Sequence, residues 1–144
     1  MKIALDSSVL VAALVPEQDF HLACRVLLKE RHERSTFSHA LVETFNTVTG
    51  GRLGVRLAAS EAEGLIGVIL DRLIQPVSLS PRDLMRAFGE AEARGVRGGA
   101  IYDFLHLVAA RKAKSEFMVT LNLRHFQAFW REGDPMIRHP EELA

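Results

Sequence analysis

Met1-Lys2-Ile3-Ala4-Leu5-Asp6-Ser7-Ser8-Val9-Leu10-Val11-Ala12-Ala13-Leu14-Val15 is the stretch around which the rest of the chain is organised. Ile3, Ala4 and Leu5 form an apolar run too short for a helix and without polar alternation, the pattern of a strand covered on both faces. Asp6 places a carboxylate at the carboxyl end of that strand. Ser7 or Ser8 then caps a helix whose apolar body is Val9 to Val15. In open α/β sheets, ligands bind in the crevice outside the carboxyl ends of the strands. Asp6 therefore reads equally as a helix cap and as a site residue. Other acids able to reach the same edge would decide between the two.

The strand–helix unit recurs downstream. Ser35 to Phe37 is a short second strand running into a helix over Ser38–Val48, with Leu41, Phe45 and Val48 on its apolar face and Glu43, Asn46 and Thr47 on another. Gln75 to Leu79 is a third strand. Ser80, Pro81 and Asp83 supply a cap, a first-turn proline and a first-turn acid for a helix reaching about Arg94. After the loop Gly95–Gly99, a helix over Ala100–Ala113 carries the stripe Ile101, Phe104, Leu105 and Val108, with Asp103 in its first turn, where the helix dipole favours a negative charge. Glu116–Thr120 is a fourth strand and Met136-Ile137 a last, edge strand. Phe126, Phe129 and Trp130 between them read as packing residues.

Two more helices fill the intervals. One spans Asp19–Glu33 with Phe20, Ala23, Leu27 and Leu28 inward, and the other starts at Ser60 and reaches Leu73. Gly64 and Gly67 in the latter cost about 1 kcal/mol each against alanine, and close packing of another helix, even of a second subunit, would account for them. Alternation of strands and helices predicts an α/β/α sandwich around a mostly parallel sheet of four to five strands, in one domain over residues 1–144.

Composition narrows the function. Lys plus Arg and Asp plus Glu are both 18 among 144 residues, so no overall basic field attracts nucleic acid. Binding of that kind needs a local patch, supplied mainly by Arg because Lys occurs only at 2, 29, 112 and 114. Cys24 is the single cysteine and sits on an apolar helix face, which suits a small core residue in a cytoplasmic protein. The run Val9–Val15 falls short of the roughly 20 residues of a membrane span, so no membrane association is expected. No His/Cys cluster has zinc spacing and no glycine-rich phosphate loop is present.

Asp6, Glu43 and Asp103 all belong at the carboxyl edge of a parallel sheet, and Asn122 follows the fourth strand there. Carboxylates gathered without a cation repel one another by up to about 4 kcal/mol per close pair at an effective dielectric of about 20. Either one takes up a proton or the site holds a metal. Hard oxygen donors of this kind suit Mg²⁺ or Mn²⁺. On this reasoning, Glu43→Gln is expected to stabilise the metal-free protein.

Four segments carry a family resemblance: Leu5-Asp6-Ser7-Ser8-Val9-Leu10, Glu43-Thr44-Phe45-Asn46, Tyr102-Asp103-Phe104-Leu105-His106 and Val119-Thr120-Leu121-Asn122-Leu123-Arg124-His125-Phe126. In this order and chain length they resemble a PIN-domain ribonuclease, most similar to the VapC-type toxins of toxin–antitoxin pairs. The resemblance implies a Mg²⁺- or Mn²⁺-dependent endoribonuclease with Asp6, Glu43 and Asp103 as catalytic and metal-binding acids. It also implies support from Ser8, Asn46 and Asn122, an RNA substrate cut to a 5′-phosphate and 3′-hydroxyl, a cognate antitoxin and a homodimer. Asn122 stands where many members carry a fourth acid, so one ion bound before RNA and a second arriving with it is the expectation.

His106 and His125 each lie three residues past a site position, within reach of a phosphate or a proton relay, though a structural hydrogen bond is the simpler role for both. His39 precedes Glu43 by one turn, where orienting that acid is its expected part. A phosphoaspartate protein needs a second acid beside Asp6 and a late lysine, and neither is present. The remaining alternative is a catalytically degenerate PIN-like module that binds RNA or a partner without cutting.

Overall fold

The computed structural model describes residues 1–54 and 56–144. Five strands form one sheet: β1 (Lys2–Leu5), β2 (Glu33–Phe37), β3 (Gln75–Val77), β4 (Phe117–Val119) and β5 (Met136–Arg138). Their spatial order is β3-β2-β1-β4-β5 and every pairing is parallel. The expected architecture is therefore present, with Met136–Arg138 as the edge strand and a sheet that is wholly parallel.

Side chains along the central strands alternate between two helical layers. Ile3, Leu5 and Val119 pack with α1 (Ser7–Leu14), α2 (His21–Lys29), α3 (Ser38–Thr49) and α4 (Ala59–Arg72). Ala4 and Met118 face the opposite layer of α5 (Pro81–Ala91), α6 (Ala100–Lys112) and α7 (Leu123–Phe129). Both faces are apolar, so the strands show no polar alternation in sequence. α6 carries the longest unbroken buried run, with every residue from Phe104 to Ala110 buried. The chain closes with α8 (Pro140–Leu143).

Connectivity creates the crevice. From β1 the chain steps through β2 to β3 at one edge, then crosses back over the sheet by α5 and α6 to β4 on the other side of β1. The direction reverses at β1, and the carboxyl ends of β1 and β4 flank the switch point where α/β folds place their ligands.

Several local expectations need correction. The helix expected from Asp19 begins at His21, because Phe20 takes a left-handed conformation (φ 63°) and leaves its exposed ring edge-on to His139. The same helix stops at Lys29 rather than Glu33. There Arg34 donates to the carbonyls of Leu27 (3.1 Å) and Glu30 beyond the last turn, and to Leu73 (2.8 Å) at the end of α4. One guanidinium thus closes two helix ends whose carbonyls have no partner within the helix. Phe45, expected inward, is 39% exposed, and the buried side of α3 runs through Ala40, Thr44 and Val48. A Cβ at Gly64 or Gly67 would meet nothing within 4 Å, so no helix of this chain packs closely on them. Nor does Ser60 cap α4; the Ala58 N–H donates to Glu61 instead (3.1 Å).

Other features match. Ser80 and Asp83 exchange the two bonds of a capping box at 3.1 and 2.8 Å, and Lys112 adds a 2.8 Å contact that, with those bonds, holds the Asp83 carboxyl down at about 2. Cys24 is fully buried, and burial pushes its thiol up to about 12, as befits a small core residue. Among the described residues, no helix is long and apolar enough to cross a membrane.

An ionic cluster locks α5 and α6 to the segment after α7. Arg111 meets Glu90 with two bonds of 2.8 and 2.7 Å, and Arg94 joins Glu90 and the buried Asp134. Both guanidinium groups lie over the Phe104 ring, 5.4 and 5.9 Å from its centre. Removing one partner of a buried pair leaves an uncompensated charge, so Asp134→Ala is expected to cost about 3 kcal/mol in urea unfolding. The Arg111 hydrogen bond is the main reason that the Glu90 carboxyl lies below its ordinary range. A depressed carboxylate contributes stability above its unfolded pKa and loses it as pH falls through the folded value. Glu90→Gln is therefore expected to lower stability at about pH 7 and to lose that deficit as pH falls below the folded carboxyl's own value; an equal deficit at neutral and acid pH would mean Glu90 only packs.

Candidate active site

Asp6 is the site's most enclosed acid, at 2% exposure on the turn from β1 into α1. Its Oδ1 accepts from Ser8 Oγ (2.5 Å) and from the Val9 N–H (3.2 Å), and its Oδ2 accepts from Thr120 Oγ1 (2.6 Å). Asp6 itself is thus the helix cap, in place of Ser7 or Ser8. The cap and site readings describe the same carboxylate, because one oxygen can satisfy an orphan helix N–H while the group still faces the crevice. Ser8 is instead a clasp: its Oγ also accepts from the Leu121 N–H (3.0 Å), and Thr120 Oγ1 accepts from the Asn122 N–H (2.9 Å). The carboxyl ends of β1 and β4 are thereby stitched together through hydroxyls.

Glu43 stands on α3, half-buried, and its Oε1 is 2.7 Å from His106 Nε2 on α6. Asp103 lies one turn before His106 on the same helix, and its Oδ2 is 3.2 Å from Nδ1 of the exposed His125 on α7. His106 is 2% exposed and sits among all three acids. Burial alone would push its pKa down. The Glu43 hydrogen bond and the attraction of Asp6, Glu43 and Asp103 outweigh that and hold it above the ordinary value. Burial likewise pushes Asp6 above the usual carboxylate range, while His106, Ser8, Thr120 and Val9 pull it back.

The three acids thus surround one buried imidazole at the carboxyl edge, as the sequence placed them. Each is turned to a protein donor, and no three of the acids and histidines converge into a ready metal cage among the described residues. The donor set is anionic and all oxygen, which fits Mg²⁺ or Mn²⁺ in kind. Asn122 is exposed and begins α7, with no side-chain cap bond. Asn46 is also exposed, one turn beyond Glu43, and makes no side-chain hydrogen bond to the acids among the described residues. His39 stacks on Tyr102 (ring centres 5.8 Å, 18°) rather than orienting Glu43.

Residues 3–129 match the PIN domain. The chain belongs to the PIN-domain family. It is 32% identical over 117 residues to "Ribonuclease VapC27" of Mycobacterium tuberculosis, covering 79% of this chain and 80% of that relative. Among solved structures it shares its fold with Mycobacterium tuberculosis VapC20, described as a sarcin-ricin loop cleaving toxin. That match has a TM-score of 0.70 at 16% identity, over 92% of this chain and 99% of the other. It likewise superposes on VapBC2 of Rickettsia felis, solved bound to a DNA fragment from its promoter, with a TM-score of 0.68 at 19% identity over 96% and 98% of the two chains.

Two residues of the candidate site gain their parts only in three dimensions. Thr120 bonds the first acid across 114 positions of sequence, and the only signal for it was a hydroxyl closing an apolar strand. His106 was expected to form a structural hydrogen bond, and the bond it forms is to a site acid. A cleft of about 500 Å³ opens at the opposite, amino-terminal edge beside Lys2, Arg34 and Lys112. A smaller one of about 380 Å³ adjoins Asp103 and is lined by Gly95, Gly99, Arg124 and His125.

The buried imidazole reverses one expectation. Glu43 is hydrogen-bonded at 2.7 Å to the buried His106 instead of facing bare repulsion, so Glu43→Gln is expected to destabilise the metal-free protein by about 2 kcal/mol, read from thermal melts in EDTA. Thr120→Val preserves shape but strands one Asp6 oxygen, and urea unfolding is expected to show a loss of about 1–3 kcal/mol.

Proposed function

We propose that this chain is a metal-dependent endoribonuclease, the toxin of a type II toxin–antitoxin pair. The observation that carries the reading is the set of Asp6, Glu43 and Asp103, drawn from three distant segments to one sheet edge in a PIN-family chain. The name of the relative VapC27, a ribonuclease, supports the reaction type.

Asp6, Asp103 and Glu43 are the residues that would hold Mg²⁺ or Mn²⁺. Such an ion, when bound, supplies Lewis acidity at a phosphodiester and makes water a stronger acid. The protein's own contribution is positioning. Ser8, Thr120 and the Val9 N–H fix both oxygens of Asp6. His125 restrains Asp103 at the rim of the 380 Å³ cleft, where the exposed Arg124 offers a charge for an RNA phosphate. Asn122 presents a neutral amide beside β4, a weaker cation ligand than a carboxylate.

A protein partner also fits this surface. Val42 and Phe45 on α3, with Leu65 and Val68 on α4, are exposed apolar side chains, and several structural neighbours are toxin–antitoxin complexes. An antitoxin and a second copy of the chain are the proposed occupants, with the protein acting in the cytoplasm.

Single-stranded or looped RNA is expected to be cut with Mn²⁺ or Mg²⁺, leaving 5′-phosphate ends, and to survive intact in excess EDTA. Asp6→Asn and Asp103→Asn should each lower the cleavage rate at least about 100-fold, as losing a positioned charge does. Full cutting in EDTA would overturn the metal reading, and tight RNA binding without any cutting would favour a degenerate binding module. Asn122→Asp should lower the Mg²⁺ concentration for half-maximal cleavage; an unchanged titration would place Asn122 away from the ions.

A further inference from the structure

The geometry points to His106 as the positioning residue of the acidic site: its buried ring holds the Glu43 carboxylate in place as a cation ligand. The inference rests on the proposal that the acids bind a divalent metal, and it adds a residue that does not itself touch the ion.

The three acids are held in unequal ways. Asp6 sits on the rigid β1–α1 turn with three donors on its two oxygens. Asp103 lies in the first turn of α6, where a short side chain has little freedom. Glu43 is different: a longer, more flexible side chain on the surface of α3, whose one side-chain contact to another residue in the site is the 2.7 Å bond between Oε1 and His106 Nε2. That bond reaches from α6 to α3, between helices on opposite layers of the sheet. It occupies one carboxylate oxygen and leaves the other for a ligand.

The His106 ring is itself fixed. It stands edge-on to Phe37 with ring centres 5.6 Å apart at 89°, and it lies within the buried run Phe104–Ala110 of α6. Its Nδ1 is buried and has no partner among the described residues. No second hydrogen bond therefore orients the ring, and its one polar attachment is Glu43. A buried polar side chain kept with half its hydrogen-bonding capacity unmet calls for an explanation beyond packing, and the fixing of a ligand supplies one. Residues that hydrogen-bond a metal's ligands typically govern 10–100-fold in affinity.

Three variants separate this role from a general loss of structure. His106→Phe keeps an aromatic ring and removes the donor. His106→Gln carries an amide nitrogen at about the reach of Nε2, and His106→Asn carries one too short to reach Glu43. Mn²⁺ binding to each folded protein, without RNA, is measured by calorimetry at one pH, with melting curves recorded alongside. The expected result is a Kd weakened about 10–100-fold in His106→Phe and His106→Asn, and restored to within a few-fold of wild type in His106→Gln. A structural role alone would make affinity follow melting temperature rather than the position of the donor. If His106→Phe binds Mn²⁺ as tightly as wild type, or His106→Gln as weakly as His106→Phe, the inference is wrong while the metal reading stands. Should His106→Phe not fold, equal affinities of the Gln and Asn variants overturn it. Absence of Mn²⁺ binding by the wild-type protein would overturn the metal reading and this inference with it.

Discussion

A carboxylate at 2% exposure is tolerable only if its hydrogen bonds are made, and Asp6 makes them to three different parts of the molecule. The bond to the Val9 N–H starts α1. The bond to Thr120 joins β1 to β4, and Ser8 passes the connection on to the Leu121 N–H. Because the sheet order reverses at β1, α1 and α7 leave these two paired strand ends towards opposite layers. The hydroxyls add side-chain bonds to the backbone ladder there. The same bonds that satisfy a buried charge also close the switch point where the site lies, so the fold and the site share one constraint.

The acids at the carboxyl edge share a partner supplied by the fold itself. Three acids beside one another would be costly in a half-dry crevice. The structure sets an imidazole among them, carried by the helix that also bears Asp103. Asp103 and His106 are one helical turn apart, so their relative placement follows from helix geometry alone. The reach of His106 to Glu43 does not, since it depends on α3 and α6 being docked on opposite layers. Docking of α6 is secured at its far end by Arg111, Glu90, Arg94 and Asp134, on whose guanidinium groups the Phe104 ring packs. This ionic cluster therefore bears on where two of the site's side chains stand.

Much was legible in the chain itself. Ile3, Ala4 and Leu5 announced a doubly covered strand, Ser80-Pro81-Arg82-Asp83 a capped helix, and Met136-Ile137 an edge strand, because each depends on neighbours a few positions away. The acids at 6, 43 and 103 were identifiable as edge residues once strands and helices were assigned, and a parallel sheet gathers such positions at one end. Less legible were the helix ends at Phe20 and Arg34, set by a left-handed residue and by a guanidinium that closes helices it does not belong to. The exposure of Phe45 was equally hidden, since periodicity locates an apolar face without saying whether this chain covers it.

The partners of the acids were decided by tertiary structure alone. Repulsion was the reasonable expectation from like charges at one edge. Whether it is relieved by a proton, a metal or a protein cation depends on which side chain enters the space between α3 and α6. His106 enters it because it lies in the buried run Phe104–Ala110 of α6, which brings that ring to Glu43. Thr120 meets Asp6 because β1 and β4 are paired in register, Leu5 beside Val119, although 114 positions separate them in sequence. Sequence by itself determined the strands, most helices and which acids lie at one sheet edge, since these follow from periodicity and local bonding. Three-dimensional packing determined which groups satisfy each acid, because hydrogen bonds act over about 3 Å and only the folded chain brings such distant residues that close.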